Sequence, residues 1–570
     1  MTSTRNILFI ALLFIVYLMW MQWEQDYRAP AAAAPTAGQE TPAQATPAHG
    51  ETPLASSAPT PAAVPLDQDA TAVAATGAAA PPSVIVTTDV LRVEIDPRGG
   101  NIVVADLLAY PQRPKDVTHP VRLLDRASAT WFVAQSGLIA AQGSTVLAPD
   151  HTALYEVERQ DYALGNADRI EVPLTWHNAE GLAVRKVFTF QRGSYVIDQR
   201  EEISNGGAST WNGNAYRQLQ RVPPVYDSSG IKGYANVERY SFAGAAIYSP
   251  ADKFEKLKFD KFLKEPLNKT FAGGWAAMLQ HYFFAAWIPP AQEADTYTTN
   301  EVSNAGGARY LVRAMSPLIS VAPGQSHTAS ARLYIGPKLQ TTLDQIAPGL
   351  ALTVDYGMFT VIADPLHWLL MKLHRLTGNW GLAIILLVLL IKALFFKLSE
   401  AQYRSSAKMR KLQPRLAALK ERHGDDRQKF AAAQMELFQK EKVNPLAGCL
   451  PMLIQIPVFF ALYWVLLESV ELRQAPFVGW IHNLSAPDPY FVLPVLNAIV
   501  MVATQHLTPM TGMDPTQARM MKIMPVVFSV LFAFFPAGLV LYYVVNGGLG
   551  LLQQWIITRR IERGDKAATA

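Results

Sequence analysis

Three textures of hydrophobic and polar positions alternate along the chain. The most prominent is the long apolar run. Ile7–Trp23, Trp380–Leu398, Leu446–Val470, Tyr490–Leu507 and Ile523–Ile557 are of this kind. At about 1.5 Å per residue, some 20 residues of helix cross the roughly 30 Å hydrocarbon core of a bilayer. The last run has 35 residues, too many for one ordinary span, and it lies between Arg519 and Lys522 on one side and Arg559, Arg560 and Arg563 on the other. Basic flanks favour the cytoplasmic side. The run is therefore expected to be a hairpin of two short spans turning at Pro536-Ala537-Gly538. The pattern predicts six spans, the first an uncleaved anchor or, alternatively, a signal peptide.

The second texture is short alternation. Ser83–Pro337 contains SVIVTTDVLRVEID, RIEVPLTWHN, LAVRKVFTFQ, YVIDQREEI and SARLYIG, punctuated by PRGG, SNGG and APGQ. Period-two alternation sends successive side chains to opposite faces of a sheet, and many such strands predict a large β-sandwich outside the cytoplasm. The third texture is helical spacing outside the spans. Leu339–Ile346 is a short helix signal. Leu366, Leu369, Leu370 and Leu373 form a stripe, with His367, Lys372, His374 and Arg375 as polar positions, Pro365 at the start and Gly378 past the end. A basic amphipathic helix directly before a span is expected on the membrane surface or packed on the β-domain. Met409, Leu412, Leu416 and Leu419, then Phe430, Leu437 and Phe438, predict a helical hairpin turning at His423-Gly424-Asp425-Asp426 and stopped by Asn444-Pro445. Arg28–Pro82 is rich in Ala, Pro and Thr, nearly lacks large apolar residues, and reads as a disordered tether.

Where the charge lies says more than its total. Half of the 570 residues are hydrophobic and the net charge is +4. Residues 397–445 hold 12 basic against 6 acidic residues, which places the helical hairpin in the cytoplasm. The excess serves topology alone, or it also meets anionic lipid or ribosomal RNA. A single cysteine, Cys449, excludes an intrachain disulfide. His119, His177 and His281 lack metal-ligand spacing, and there is no H-E-x-x-H, nucleophile elbow, P-loop or dinucleotide fingerprint.

The candidate chemistry lies where polar residues interrupt the apolar runs. Lys392 follows the uninterrupted stretch Gly381–Ile391. A charge there is costly in lipid, so it faces a wet cavity or a partner, or it snorkels toward the end marked by Lys397. Gln455, Asn546 and the pair Tyr542-Tyr543 are the polar positions that would join Lys392 if the spans enclose one polar cavity. Asn497 reads as interhelical glue, and Glu468, Gln505, Gln553 and Gln554 lie near run ends. Two other function classes have sequence requirements of their own. A small-solute transporter requires internal repeats, and an anchored carbohydrate-active enzyme requires a convergent His and carboxylate set in the β-region. The sequence offers neither.

The segments VDYG…GNWG, AQYRSSAKMRKLQPRLAALKERHGDD, EKVNPLAGCLPMLIQIPVFFALYWVLLESVELRQAPF, WIHNLSAPDPY and FPAGLVLYYVVN carry a resemblance. Together with GGWAAMLQHYFFAAWIPP in the β-region, they resemble the YidC/Oxa/Alb family of membrane insertases in its long Gram-negative form. The resemblance implies a membrane α-helical bundle of six spans with a five-span conserved core, plus a large extracytoplasmic β-supersandwich domain. It implies a non-enzymatic insertase and chaperone in the bacterial inner membrane, with both termini cytoplasmic and the large domain periplasmic. Its partners would be nascent membrane proteins, the ribosome, the Sec translocon with its accessory subunits, and membrane lipids; no DNA and no cofactor are implied. The expected organisation is an anchor span over 1–27, a tether over 28–82, the β-domain over 83–340, and a linker with an interfacial helix over 341–378. Spans follow over 379–398, 446–470 and 490–507, with a span hairpin over 523–558. Between them lie the cytoplasmic hairpin 399–445, a periplasmic loop 471–489, a cytoplasmic loop 508–522 and a basic tail 559–570. The family's substrate groove, open to cytoplasm and lipid, maps onto Lys392, Ile456, Pro457, Tyr542 and Tyr543, with Gln455 lining nearby; Asn546 is added to the expected groove from the polar pattern. The groove's usual cation is arginine. Lys392 keeps the point charge without the planar fork, and Val388 stands where some relatives have threonine.

Overall fold

A computed structural model describes residues 82–144, 146–226, 238, 241–304, 307–423, 426–441, 450–507 and 515–569. The expected anchor span, residues 28–81 of the tether, Cys449 and residues 508–514 of the loop 508–522 lie outside the described residues.

The β-rich region forms two sheets, of 11 and 9 strands. Local sequence accounts for the pairing. Val84–Thr87 and Leu91–Asp96 both alternate, and they pair antiparallel with Val84 opposite Ile95 and Val86 opposite Val93. The turn after them needs glycine. Gly99 has φ +74°, and a Cβ there would lie 2.1 Å from the His151 carbonyl oxygen. Phe188, Phe190, Ile197, Leu219, Leu333 and Trp287 fill the space between the sheets.

Ten helices follow among the described residues: α1 Gln340–Ile346, α2 Thr360–Thr377, α3 Trp380–Leu394, α4 Phe396–Lys411, α5 Gln413–His423, α6 Arg427–Lys440, α7 Leu450–Glu468, α8 Val492–Leu507, α9 Pro515–Phe532 and α10 Ala537–Thr569. Helix α3 starts at an N-cap, where the Asn379 side chain accepts from the Leu382 amide at 3.1 Å and donates to the Phe477 carbonyl at 3.0 Å. Asp488 plays the same part before α8, accepting from the amides of Tyr490 (3.0 Å) and Leu493 (2.8 Å). The first amides of α10 are met by loop carbonyls, Ala537 by Ala486 at 2.7 Å and Gly538 by Leu484 at 2.8 Å. Leu412, Leu416 and Phe438 join α5 and α6 in a small seam of their own.

Two features depart from the sequence reading. The apolar run Trp380–Leu398 is not one straight helix. It ends at Leu394 and continues as α4 after a 65° bend. Helix α2 begins five residues before Pro365 rather than at it, and it buries His367 beside Ala363 and Leu370. These residues repeat at helical spacing, so His367 belongs to the inner stripe and not to the polar face.

The helices do not form a separate body. One core cluster includes Trp275 and Phe284 of the sheet, Leu343, Leu350 and Tyr356 of the linker, and Leu387, Ala461 and Val540 of the bundle. Polar contacts tie the same junction. His281 meets the Leu467 carbonyl at 3.0 Å, and Arg473 donates to the Pro111 carbonyl at 2.9 Å. Among the described residues, one helix, Ala537–Arg560, suffices by length and apolarity to cross a membrane; the bent pair of α3 with the start of α4 qualifies when taken as one broken span. Val495 and Ile499 on α8 and Val527 and Val530 on α9 point outward, an apolar exterior suited to lipid.

Candidate functional site

Four of the seven expected site residues converge. Helix α10 presents Tyr542 and Asn546, one turn apart on one stripe. Helix α3 supplies Lys392 and α7 supplies Gln455. These four line a recess of about 30 Å³, together with Ile391, Phe395, Leu398, Ser399 and Val458. That volume holds one or two waters. The Tyr542 hydroxyl lies against Gln455, and Tyr542 is 2% exposed.

The bend after Leu394 shapes the site. It brings Ser399 of α4 to the recess. It also brings Tyr403 to α10: the Cβ position of Gly550 lies 3.4 Å from the Tyr403 hydroxyl and 3.5 Å from Lys392 Nζ. Gly550 thus leaves the room in which the ammonium rests against α10. Lys392 has no hydrogen bond or ion pair among the described residues, and its end is turned to α10 instead of running toward Lys397.

The other three expected residues are elsewhere. Tyr543 turns away from the recess into an aromatic cluster, with its ring 5.0 Å from Phe459 and 4.4 Å from Phe532. Consecutive positions on a helix differ by about 100°, so Tyr542 and Tyr543 do not share a face. Ile456 and Pro457 are partly exposed on α7 beside Gln455 and do not line the recess. Pro457 removes one helical hydrogen bond within α7. Ser399, Tyr403 and Gly550 were not marked by the sequence. The first two are polar residues in a polar helix, and Gly550 is one of several glycines in its stretch.

No group of His, Cys, Asp or Glu among the described residues is arranged to hold a metal ion. What the arrangement offers is a cation, an amide pair and a phenol at the inner end of a narrow recess, surrounded by apolar helices. Such a site lowers the cost of placing peptide polar groups at membrane depth.

Comparison with known proteins agrees along the whole chain. The family model for the YidC periplasmic domain matches residues 83–369, and that for the 60Kd inner membrane protein matches residues 372–565. The chain is 46% identical to the membrane protein insertase YidC of Stenotrophomonas maltophilia strain R551-3, over 98% of this chain and 97% of the relative. It is 45% identical to that of Methylococcus capsulatus strain Bath, over the full length of both. Among solved structures, a crystal structure of an active YidC insertase with its first transmembrane domain resolved aligns over 83% of this chain and 92% of its own, with 18% identity and a TM-score of 0.36. The chain belongs to the YidC family of membrane protein insertases.

Proposed function

We infer that the protein inserts nascent membrane proteins through the recess at Lys392. The observation that carries this reading is an ammonium held between apolar helices without an acidic partner among the described residues, opening on Gln455, Tyr542 and Asn546. A polar flank of the substrate enters the recess, displacing its water, and is held loosely by these groups. The recess is too small for a peptide as it stands, so entry includes movement of α7 away from α3 and α10. The substrate's apolar segment then passes along the partly exposed Ile456 and Pro457 into lipid, with the aromatic packing of Tyr543 supporting that wall. Transfer of apolar surface out of water drives the step. No bond is made or broken in the substrate.

The membrane arrangement belongs to the same reading: six spans with five forming the conserved core, both termini cytoplasmic, and the β-domain in the periplasm. The α4–α6 region receives the ribosome or the nascent chain, and the Sec translocon is a partner for substrates with large translocated parts.

Site-specific photocrosslinking tests this. Probes at Gln455 and Asn546 are expected to capture a stalled single-span nascent chain, whereas probes at Val495 and Ile499, which face outward on α8, are expected to capture lipid. Absence of recess crosslinks with the ribosome bound would overturn the substrate path.

A further inference from the structure

A second, larger cavity shares Lys392 with the recess and is used by nothing described so far. It measures about 560 Å³ and runs between α3–α4 and the second half of α10. Its walls are apolar: Leu389, Phe396, Leu549, Leu552 and Ile556 line it. All five are 37–52% exposed or partly buried, so these faces are uncovered by protein. Arg404 and Arg560 also line it. Arg404 is held by Glu400 at 2.7 Å, while Arg560 has no ion pair among the described residues. On the wall between them and the apolar depth, Gln553 Nε2 is buried with no acceptor.

The dimensions single out an occupant. Leu549 to Arg560 is eleven residues of helix, about 16 Å, close to half of a roughly 30 Å hydrocarbon core. The apolar part of the cavity therefore has the depth of one leaflet, and its cations stand where that leaflet ends. Trp555, with Arg559 stacked 4.0 Å from its ring, marks the same level on α10. The charge at the mouth, two guanidinium groups against one carboxylate, complements an anion. Phosphate suits guanidinium geometry. A buried amide donor just inside suits the ester carbonyls that follow a lipid phosphate.

We propose that this cavity is a binding site for one anionic glycerophospholipid of the cytoplasmic leaflet, with its phosphate between Arg404 and Arg560, an ester at Gln553 and an acyl chain along Leu552 and Leu549 toward Lys392. The site goes beyond the insertase reading and does not depend on it.

The test uses the full-length protein in detergent, with native mass spectrometry of bound lipid in the presence of phosphatidylglycerol and phosphatidylcholine of identical acyl chains. Phosphatidylglycerol is expected to be retained over phosphatidylcholine. Arg404→Gln with Arg560→Gln is expected to lower its affinity roughly 30-fold, at the usual worth of two cations near an anionic surface. Arg559→Gln, which removes a neighbouring charge that does not line the cavity, is expected to change it by less than about threefold. Leu552→Trp, which fills the apolar depth, is expected to lower retention of both lipids. Equal retention of the two lipids, or an equal loss in Arg559→Gln, would overturn the site as an effect of net charge. Unchanged lipid retention in the double variant, with nascent-chain crosslinks from Leu552, would assign the cavity to substrate instead.

Discussion

Lys186 and Lys392 are both withdrawn from bulk water, and the two regions of the molecule treat them in opposite ways. In the β-sandwich, Lys186 is 0% exposed and fully engaged. Its Nζ donates to the carbonyls of Gly99 at 2.7 Å and Ser136 at 2.9 Å and to the Ser136 hydroxyl at 3.1 Å, with Glu201 at 3.2 Å. Burial pulls this ammonium below its ordinary pKa, and the Glu201 carboxylate opposes that pull. In the helical bundle, Lys392 rests beside Gly550 and Tyr403 with no partner among the described residues. A buried charge with every donor satisfied fixes a structure; one left open is available to something that arrives from outside. The contrast separates a cation whose donors are all engaged by the fold from one whose donors the described residues leave open.

The largest effect expected from this contrast is on stability. Lys186→Met leaves Glu201 buried and unpaired, and is expected to cost about 3–5 kcal/mol, read by chemical unfolding of the full-length protein in detergent. Lys392→Met removes a charge that has nothing to lose and is expected to cost no stability. Similar losses in the two variants would break the comparison.

The junction between the regions sharpens it. Burial, with Lys338 adding to it, drives His281 down to about 3 from the ordinary histidine value, so the imidazole is neutral and donates to Leu467. The unfolded chain takes up a proton on this group below about pH 6.5, whereas the folded one does so only near pH 3. Stability is therefore lost as pH falls through that window, by about 2 kcal/mol at pH 5 from this residue. His281→Gln should flatten that part of the pH profile; an unaltered slope would remove His281 from the account.

At the site itself, Lys392→Glu is expected to lower insertion of a reporter about tenfold or more, worth about 1.4 kcal/mol, while Lys392→Arg keeps the charge and most of the activity. Full activity in both would leave Lys392 without a role in the recess. The smallest effect is local. Asn379→Ala removes the cap of α3 and is expected to cost about 1 kcal/mol in thermal unfolding without altering insertion yield.

Much of the fold was legible because it rests on short-range patterns. Val84, Val86, Leu91, Val93 and Ile95 alternate in the sequence, and all lie in the core. Helix α2 was legible in kind but not in face. His367 was classed by its chemistry, although its spacing from Ala363 and Leu370 is that of a buried stripe. The recess was partly legible, since Lys392, Gln455, Tyr542 and Asn546 stand out against apolar surroundings. Ser399, Tyr403 and Gly550 were not, because they reach the site only through the bend after Leu394. That bend falls at Phe395-Phe396, where the chain carries neither proline nor glycine. Ile456 and Pro457, given by the resemblance, and Tyr543, given by the resemblance and the polar pattern alike, lie outside the recess, because neighbours on one helix diverge by about 100° and neither signal says which neighbour points inward.

The cluster joining Trp275 and Phe284 to Leu350, Tyr356, Leu387 and Val540 makes residue 340 a covalent landmark and not a thermodynamic frontier. Sheet and bundle share buried area across it, so heating should melt them in one cooperative transition, with no temperature at which one is liquid-like and the other intact. A protease nick in the linker would leave the pieces associated. An isolated sandwich cut before α1 would carry the imprint of its missing neighbour as a sticky face. Keeping Leu343, Leu350 and Tyr356 on the fragment would cover that face, so the useful unit for recombinant work ends beyond the last strand, where the core ends.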